Sequence, residues 1–412
     1  MGLKEVDGMS LTKKKGIAYQ TKVFIATLLY IVIQFFDIPY VERYLNTSIK
    51  GVLYLFCTAF MFLIYISRGV KKYTEIFLFA ILMIFFLVST LIQNNSYLQA
   101  LLIILPLIST AFLFLMCKNE KEVLSIIKLL ELFYLAIILI DAVTMAIYPN
   151  GLYSDKLYSA YWFLGYKTQR MPFIISLLVY DAYRHQIERK GLKSSIILAV
   201  FTLFVLQKTD SMSSIGGLVF FIFAVVLVSL TGSNNKAWRS IMRIFLDFRL
   251  FIIVYTIIFL TFVVSQDMDM VSDLLLNTLN RSITVSGRTW IWANCLEYFR
   301  NKPLFGYGIL TSTQYVGITG IAAGTNAHNM VLTYLMSGGI VGTAVFIYLN
   351  FRVMKGTADT VENYILIAGV YAIFIIGISS SIMSLDSSLY GIYFLLLVRR
   401  SFKCKTISCI FC

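Results

Sequence analysis

"TEIFLFAILMIFFLVSTLI", residues 74–92, decides the fold class before any other stretch. Nearly every side chain in it is aliphatic or aromatic, and its one acid, Glu75, stands at the start. At about 1.5 Å per residue, a helix of this length crosses a hydrocarbon layer of about 30 Å. Eleven more apolar segments are read along the chain, giving spans near 21–38, 50–67, 74–92, 97–117, 123–148, 172–185, 193–208, 212–230, 245–265, 328–350, 362–383 and 385–399. The sixth and twelfth are short, and the fifth carries Lys128 and Glu131. Composition agrees: of 412 residues, 59% are hydrophobic and only 14% charged. Mean hydropathy is +0.80. A water-soluble fold has no means of hiding that much apolar surface, whereas a lipid-facing bundle has no need to. The expectation is an all-α integral membrane protein, one polytopic membrane domain over residues 1–412 with about twelve transmembrane helices. The basic run Lys13, Lys14, Lys15 precedes the first apolar segment with no small-residue cleavage site after it, which reads as an anchor helix rather than a secretory signal.

The net charge of +14 reports orientation here rather than nucleic acid. With the N-terminus inside and the spans alternating, the inner segments receive 22 of the 35 Lys and Arg. The outer segments receive ten: Arg43, Lys50, Lys156, Lys167, Arg170, Lys208, Arg281, Arg288, Arg300 and Lys302. Both termini are therefore expected in the cytoplasm. Of the six cysteines only Cys295 falls outside, so no disulfide framework is expected.

Two outer loops are long, about 149–171 and 266–327, and loops of such length in a compact protein are usually functional or disordered. The second is too aromatic and too patterned for disorder. Within it, "SGRTWIWANCLEYFRNKPLFGYG" (286–308) predicts an amphipathic helix between Gly287 and Pro303. Ile291, Trp292, Cys295, Leu296 and Phe299 share one face at helical spacing, and Arg288, Asn294 and Arg300 point elsewhere. Pro303 stops the helix, and the glycines of "FGYG" permit a tight turn. The bland alternative is an interfacial helix whose arginines face lipid headgroups.

His328 is one of two histidines in the chain and stands where a polar loop turns into an apolar helix. Partial positive charge at a helix start disfavours imidazolium, so an imidazole with an ordinary pKa near 6.5 stays neutral and able to accept a proton. Thr325 or Asn326 is the expected helix cap, and Asn329 is placed to orient the ring or bind a sugar hydroxyl. The small residues of "MSGGIVG" (336–342) suit close helix approach. His185 lies in a basic inner loop and receives no role.

Taken together, "SGRTWIWANCLEYFRNKPLFGYGI" and "AHNMVLTYLMSGGIVG" resemble the signature of the O-antigen ligase and polysaccharide polymerase family, within residues 266–350. The resemblance implies a membrane glycosyltransferase of the GT-C-like type. Its substrate would be an undecaprenyl-diphosphate-linked oligosaccharide at the outer face of the bacterial cytoplasmic membrane. It further implies Arg288 as a diphosphate ligand and His328 as the catalytic base. "FLGYKTQRMPF" (163–173) is similar to a Gly-x-Lys-Asn motif of Gram-positive polymerases, matched at Gly165 and Lys167, with Thr168 in place of Asn. Relatives carry a Ser-Arg pair where this chain has Ser211, Met212 and Ser213, so Lys208 or Arg170 is left to supply that cation. The substrate contacts expected around the catalytic pair are Lys167, Arg170, Lys208, Arg281, Trp292, Arg300 and Asn329. A flippase and a chain-length regulator are expected as pathway partners.

The chemistry stands without the resemblance. Lipid diphosphate is already a good leaving group, so the paired carboxylates of a glycosidase are not required. Cations stabilise the departing diphosphate, and a base takes the acceptor hydroxyl proton. Asp267, Asp269, Asp273 and Glu297 are reserve bases. No acidic cluster marks a metal site, so neither metal nor cofactor is expected. A ligase differs from a polymerase only in acceptor. The rival of another class is a lipid-linked oligosaccharide transporter, whose ionisable residues sit at mid-membrane, with Asp141 and Asp181 as candidates.

Overall fold

The computed structural model describes residues 3–69, 74–93, 95–154, 160–166, 168–207, 212–230, 236–265, 288–322, 324–355, 357, 361–380 and 386–408. A helix occupies each apolar segment read from the sequence. In chain order these are α1 (Leu3–Phe36), α2 (Thr47–Ser67), α3 (Thr74–Ile92), α4 (Tyr97–Leu115), α5 (Glu120–Ile147), α6 (Met171–Ile187), α7 (Lys193–Gln207) and α8 (Met212–Leu230). They continue with α9 (Lys236–Phe245), α10 (Phe248–Phe259, running on as a π-helical turn to Ser265), α11 (Arg288–Arg300), α12 (Ser312–Thr319), α13 (Met330–Met354), α14 (Tyr364–Gly377) and α15 (Ser387–Ser408). Six are long and apolar enough to cross a membrane: α2, α3, α4, α5, α8 and α13. Apolar stretches of α1, α7, α10, α14 and α15 are shorter.

The packing is that of a bundle with apolar faces on both sides. On α2, Tyr54, Cys57, Thr58, Met61, Ile64 and Tyr65 face inward at helical spacing. The opposite face is just as apolar, and Val52, Leu55, Phe56, Phe62 and Leu63 are exposed. Exposed apolar surface on this scale demands lipid rather than water. Two helices lie at the centre and are buried all round: α6 from Met171 to Tyr183 and α14 along nearly its whole length. α14 packs extensively on α8, and the Tyr371 ring stacks on Phe251 of α10 at 3.8 Å.

The charges that made the fifth span doubtful find partners where α5 meets the end of α6. Glu131 accepts from Arg184 at 2.6 Å, and Lys128 pairs with Glu188 at 2.7 Å. Two boundaries differ from those read. The ninth span, expected from 245, splits: Asp247 caps α10 with its carboxylate on the Arg249 and Leu250 N–H groups. Before it, α9 gathers Lys236, Arg239 and Arg243 as a separate amphipathic helix. The eleventh stops at Gly377, about 21 Å long and too short to cross about 30 Å unaided.

The decisive irregularity is in α13. Gly339 has φ +61° and ψ −164°, which breaks the helix in two inside the bundle. A break leaves open C=O groups on one side and open N–H groups on the other, each costly in a membrane interior. The turn at 303–308 satisfies four of them. Tyr307 N–H donates to Met336 C=O at 2.7 Å, and Gly308 N–H to Ser337 C=O at 3.0 Å. In the other direction Ile340 N–H donates to Pro303 C=O at 2.8 Å, and Val341 N–H to Leu304 C=O at 3.2 Å. A Cβ on Gly306 would meet Met336 O at 2.6 Å, and one on Gly339 would meet Leu304 O at 2.3 Å. The small residues after His328 therefore do two things: Gly339 receives the docked turn, and Gly338 and Gly342 let Phe86 and Phe85 of α3 approach closely, as the sequence leads one to expect.

Candidate active site

His328 does not lie in the helix. It precedes the N-cap of α13, with φ +47°, in the left-handed region that non-glycine residues rarely adopt. Local hydrogen bonds force the conformation. Asn326 Oδ1 accepts from the His328 N–H at 2.8 Å, closing an Asx turn. Asn329 is the cap, in place of the expected Thr325 or Asn326: its Oδ1 accepts from Leu332 N–H at 2.8 Å. Its Nδ2 donates to Ile378 C=O at 2.7 Å, tying the loop to the short end of α14. Asn329 is fully buried. Both its polar atoms are spent on backbone, which makes it a positioning residue for the neighbouring imidazole and not an open sugar contact.

α11 forms where it was read, and its buried face is Ile291, Trp292 and Cys295. These side chains share a small apolar cluster with Tyr307, Tyr315, Ala327, Leu332 and Met336. One core thus carries α11, the docked turn and the residue preceding His328. Trp292 belongs to this core and is buried, which differs from the substrate-facing position expected of it. Cys295 beside it is fully buried, and burial pushes its thiol up to about 12. Arg288 opens α11, half-buried; Arg300 closes it, exposed; and Glu297 is exposed on the same helix. The Trp290 indole N–H reaches forward to Thr319 C=O at 3.0 Å. Thr319 Oγ1 meets Gly324 C=O at 3.3 Å. α12 thereby braces the loop that leads into His328.

α12 itself was not read from the sequence. It starts with a capping box, in which Thr311 Oγ1 accepts from Gln314 N–H and the Gln314 side chain receives the Thr311 N–H. Thr-x-x-Gln before an apolar pair is the signal that would have found it.

The ten cations that the sequence assigns to outer segments divide by environment where the structure describes them. Lys50 is buried between Asp37 at 3.0 Å and Glu42 at 2.9 Å. Arg43 stands over the Tyr153 ring at 4.3 Å. Arg170 is fully buried: its Nε donates to Asp141 Oδ2 at 3.0 Å and its Nη2 to Gly165 C=O at 3.3 Å. The other Asp141 oxygen accepts from Leu164 N–H at 2.8 Å. Arg170 therefore clamps the 160–170 loop onto α5 instead of facing a substrate, and Asp141 is the other jaw. Lys302 lies against Gln93 and over the Tyr307 ring at 4.9 Å. Lys167, Lys208, Arg281, Asp267, Asp269 and Asp273 lie outside the described residues. The structure thus places Arg288 and Arg300 at the two ends of a helix whose apolar cluster also holds Ala327, next to His328, and leaves Arg170 paired with Asp141.

Residues 195–347 match the family model described as O-antigen ligase. No curated protein and no solved structure matches the chain. The matched stretch, well under half of the chain, runs from α7 through α11, the docked turn, His328 and the break in α13, and it supports an assignment to the O-antigen ligase and polymerase family.

Proposed function

We propose that the protein polymerises undecaprenyl-diphosphate-linked oligosaccharide repeat units at the outer face of the bacterial cytoplasmic membrane, with His328 as the catalytic base. The observation that carries this reading is the setting of His328. A non-glycine residue is held in left-handed conformation between an Asx turn and a buried cap. Such strain is of the order of 1–3 kcal/mol and collects where geometry matters for chemistry. Arg288 adds a fixed cation at the start of α11, where the helix N-terminus also favours anions, a doubly positive end suited to a diphosphate. Arg300, with Lys167, Lys208 and Arg281 from the neighbouring loops, supplies the remaining positive field of this reading.

In the reaction, an acceptor sugar hydroxyl attacks the anomeric carbon of the donor while its proton passes to the neutral His328 imidazole. The bond from that carbon to the phosphate oxygen breaks, and the electron pair leaves with undecaprenyl diphosphate, stabilised by Arg288. Attack opposite the leaving group inverts the anomeric centre. None of these steps calls for a metal or a cofactor. The twelve helical segments serve as twelve spans of a single polytopic domain with both termini in the cytoplasm. A flippase would deliver the donor, and a chain-length regulator would act on the product.

A ligase reading shares every step except the acceptor, and the description of the matched family model favours keeping it. Transport finds less support, because Asp141 is committed to Arg170 and Asp181 to Arg184 at 3.2 Å. The test is the surface-polysaccharide size profile of a strain carrying His328→Ala at normal protein level. Loss of long chains with lipid-linked single units accumulating supports polymerisation. Lipid-linked chains of normal length that fail to reach their acceptor point to a ligase. A normal profile removes His328 from catalysis.

A further inference from the structure

We propose that a polar cleft beside the docked turn is a glycan-binding subsite, separate from the His328 loop, that holds sugars of the substrate chain remote from the reacting bond. The cleft has a volume of about 320 Å³ and is lined by Gln93, Asn95, Tyr298, Lys302, Tyr307 and Gln314, with an apolar edge from α12. That volume falls at the lower end of the range of about 300–1,000 Å³ for small-ligand sites. The inference rests on the glycan-transfer reading, because that reading supplies the sugar chain.

Its construction points to carbohydrate. The wall is prebuilt: Asn95 Nδ2 donates to Tyr307 C=O at 2.6 Å, and Asn95 Oδ1 accepts from Gln314 Nε2 at 2.5 Å. Gln314 Oε1 in turn accepts from Thr311 N–H at 2.8 Å. These bonds fix the amides in place before any ligand arrives. The Tyr298 and Tyr307 rings stack at 4.4 Å, and the Tyr307 hydroxyl donates to Tyr298 C=O at 2.9 Å. Tyr307 is buried beneath while Tyr298 is 37% exposed, so one aromatic face remains as a floor. Aromatic faces meet the C–H side of a pyranose, and each bonded amide still has a second N–H to offer a hydroxyl beside the Lys302 ammonium. An apolar ligand would leave this polar lining unpaired. Lys302 has three donors; one goes to Gln93 Oε1. With no carboxylate among the described lining residues, the cleft favours a sugar bearing an acidic substituent near Lys302.

α12 connects the cleft to the chemistry. Gln314, Gly317 and Ile318 line the cleft, while Tyr315 and Thr319, on an adjoining face, are buried against the apolar cluster that includes Ala327. Occupation of one face steadies the helix whose other face props the His328 loop.

The test uses Gly317→Cys in the full chain, with Cys404, Cys409 and Cys412 replaced by Ser. A Cβ at Gly317 meets nothing within 4 Å, and the remaining cysteines, Cys57, Cys117 and Cys295, are buried. The rate of maleimide labelling at residue 317 is followed in detergent, with fragments of the host's own surface polysaccharide as the probe and dextran as the comparison. The expected result is protection by the fragments, not by dextran, that persists in His328→Ala. Lys302→Gln and Tyr298→Ala should each weaken the protecting concentration about tenfold, the order of one lost charge-assisted contact. Absence of protection, equal protection by dextran, or protection indifferent to both substitutions would overturn the subsite. None of those results bears on His328, whose role is decided by the polymer profile alone.

Discussion

Two loops are fastened to the same end of this bundle by opposite means. The 303–308 turn enters the break in α13 on four backbone hydrogen bonds, with Gly306 and Gly339 where a Cβ would collide, and the Ser89 and Asn95 side chains add a bond each. The 160–170 loop is held mainly through side chains: the buried ion pair of Arg170 with Asp141, whose carboxylate also takes the Leu164 N–H, and the Trp162 indole N–H on Tyr148 C=O. The first fastening is uncharged, and it depends on glycines that leave room for the backbones to meet. The second needs two charges taken out of water, whose desolvation cost offsets much of their attraction. A backbone fastening tolerates no added atom, whereas an ionic one tolerates replacement of both partners together. Substitution separates the two.

The largest effect is expected at the glycines. Gly339→Ala or Gly306→Ala forces a Cβ into backbone atoms at a positive φ, and the folded protein should disappear from detergent extracts as judged by size-exclusion chromatography. A well-folded Gly339→Ala protein would mean that the turn does not sit in the break. Next comes Asp141→Leu, which leaves Arg170 buried without its counter-charge and should cost about 3–5 kcal/mol. The double variant Asp141→Leu with Arg170→Met should recover most of the lost thermal stability together with polymer production. A double variant that is stable but inactive would return this pair to the functional machinery. His328→Gly should reverse the usual pattern by relieving the left-handed strain, with stability gained by about 1 kcal/mol while long polymer is lost. His328→Asn, which tolerates the same backbone, checks that the imidazole and not the turn is required. The smallest effect is at Cys295. With its thiol pushed up to about 12 by burial, it stays protonated at pH 8 and should resist iodoacetamide until the protein is unfolded. Rapid labelling of the native protein would show that the cluster beneath α11 is open.

The contrast also explains what was legible in the sequence. The apolar spans and α11 were readable because hydrophobic periodicity is local, and the residues of "PLFGYG" stood out because glycine and proline punctuate a chain. Their meaning was not readable, because Gly339 and Gly306 lie 33 residues apart and their contact is a tertiary fact. The fate of Arg170 was hidden for the same reason: nothing near it in the chain announces Asp141, 29 residues upstream. Counting it as an outer cation was natural; only packing shows that its charge is already spent. Asn329 misled differently. An Asn beside a candidate base suggests a substrate contact, yet Asn is also among the best N-caps, and the cap won. Gln314 was not singled out, and Lys302 stood only among the outer cations, because a capping glutamine and a lone lysine look ordinary until the fold sets them around a common space.

The break in α13 also bears on how the molecule is assembled. Left to itself, the 330–354 segment has every reason to form one uninterrupted helix, since a continuous ladder satisfies the groups that the break exposes. The broken form becomes favourable only once 303–308 has arrived on the same side of the membrane to fill the gap. The two segments follow one another closely along the chain, so the order of synthesis delivers the filler before the helix it enters. A chain in which the 303–308 turn arrives late would therefore be left with a straight helix and an unfastened turn. Such a species would be fully inserted, yet built wrongly in the helix that carries the histidine at its start.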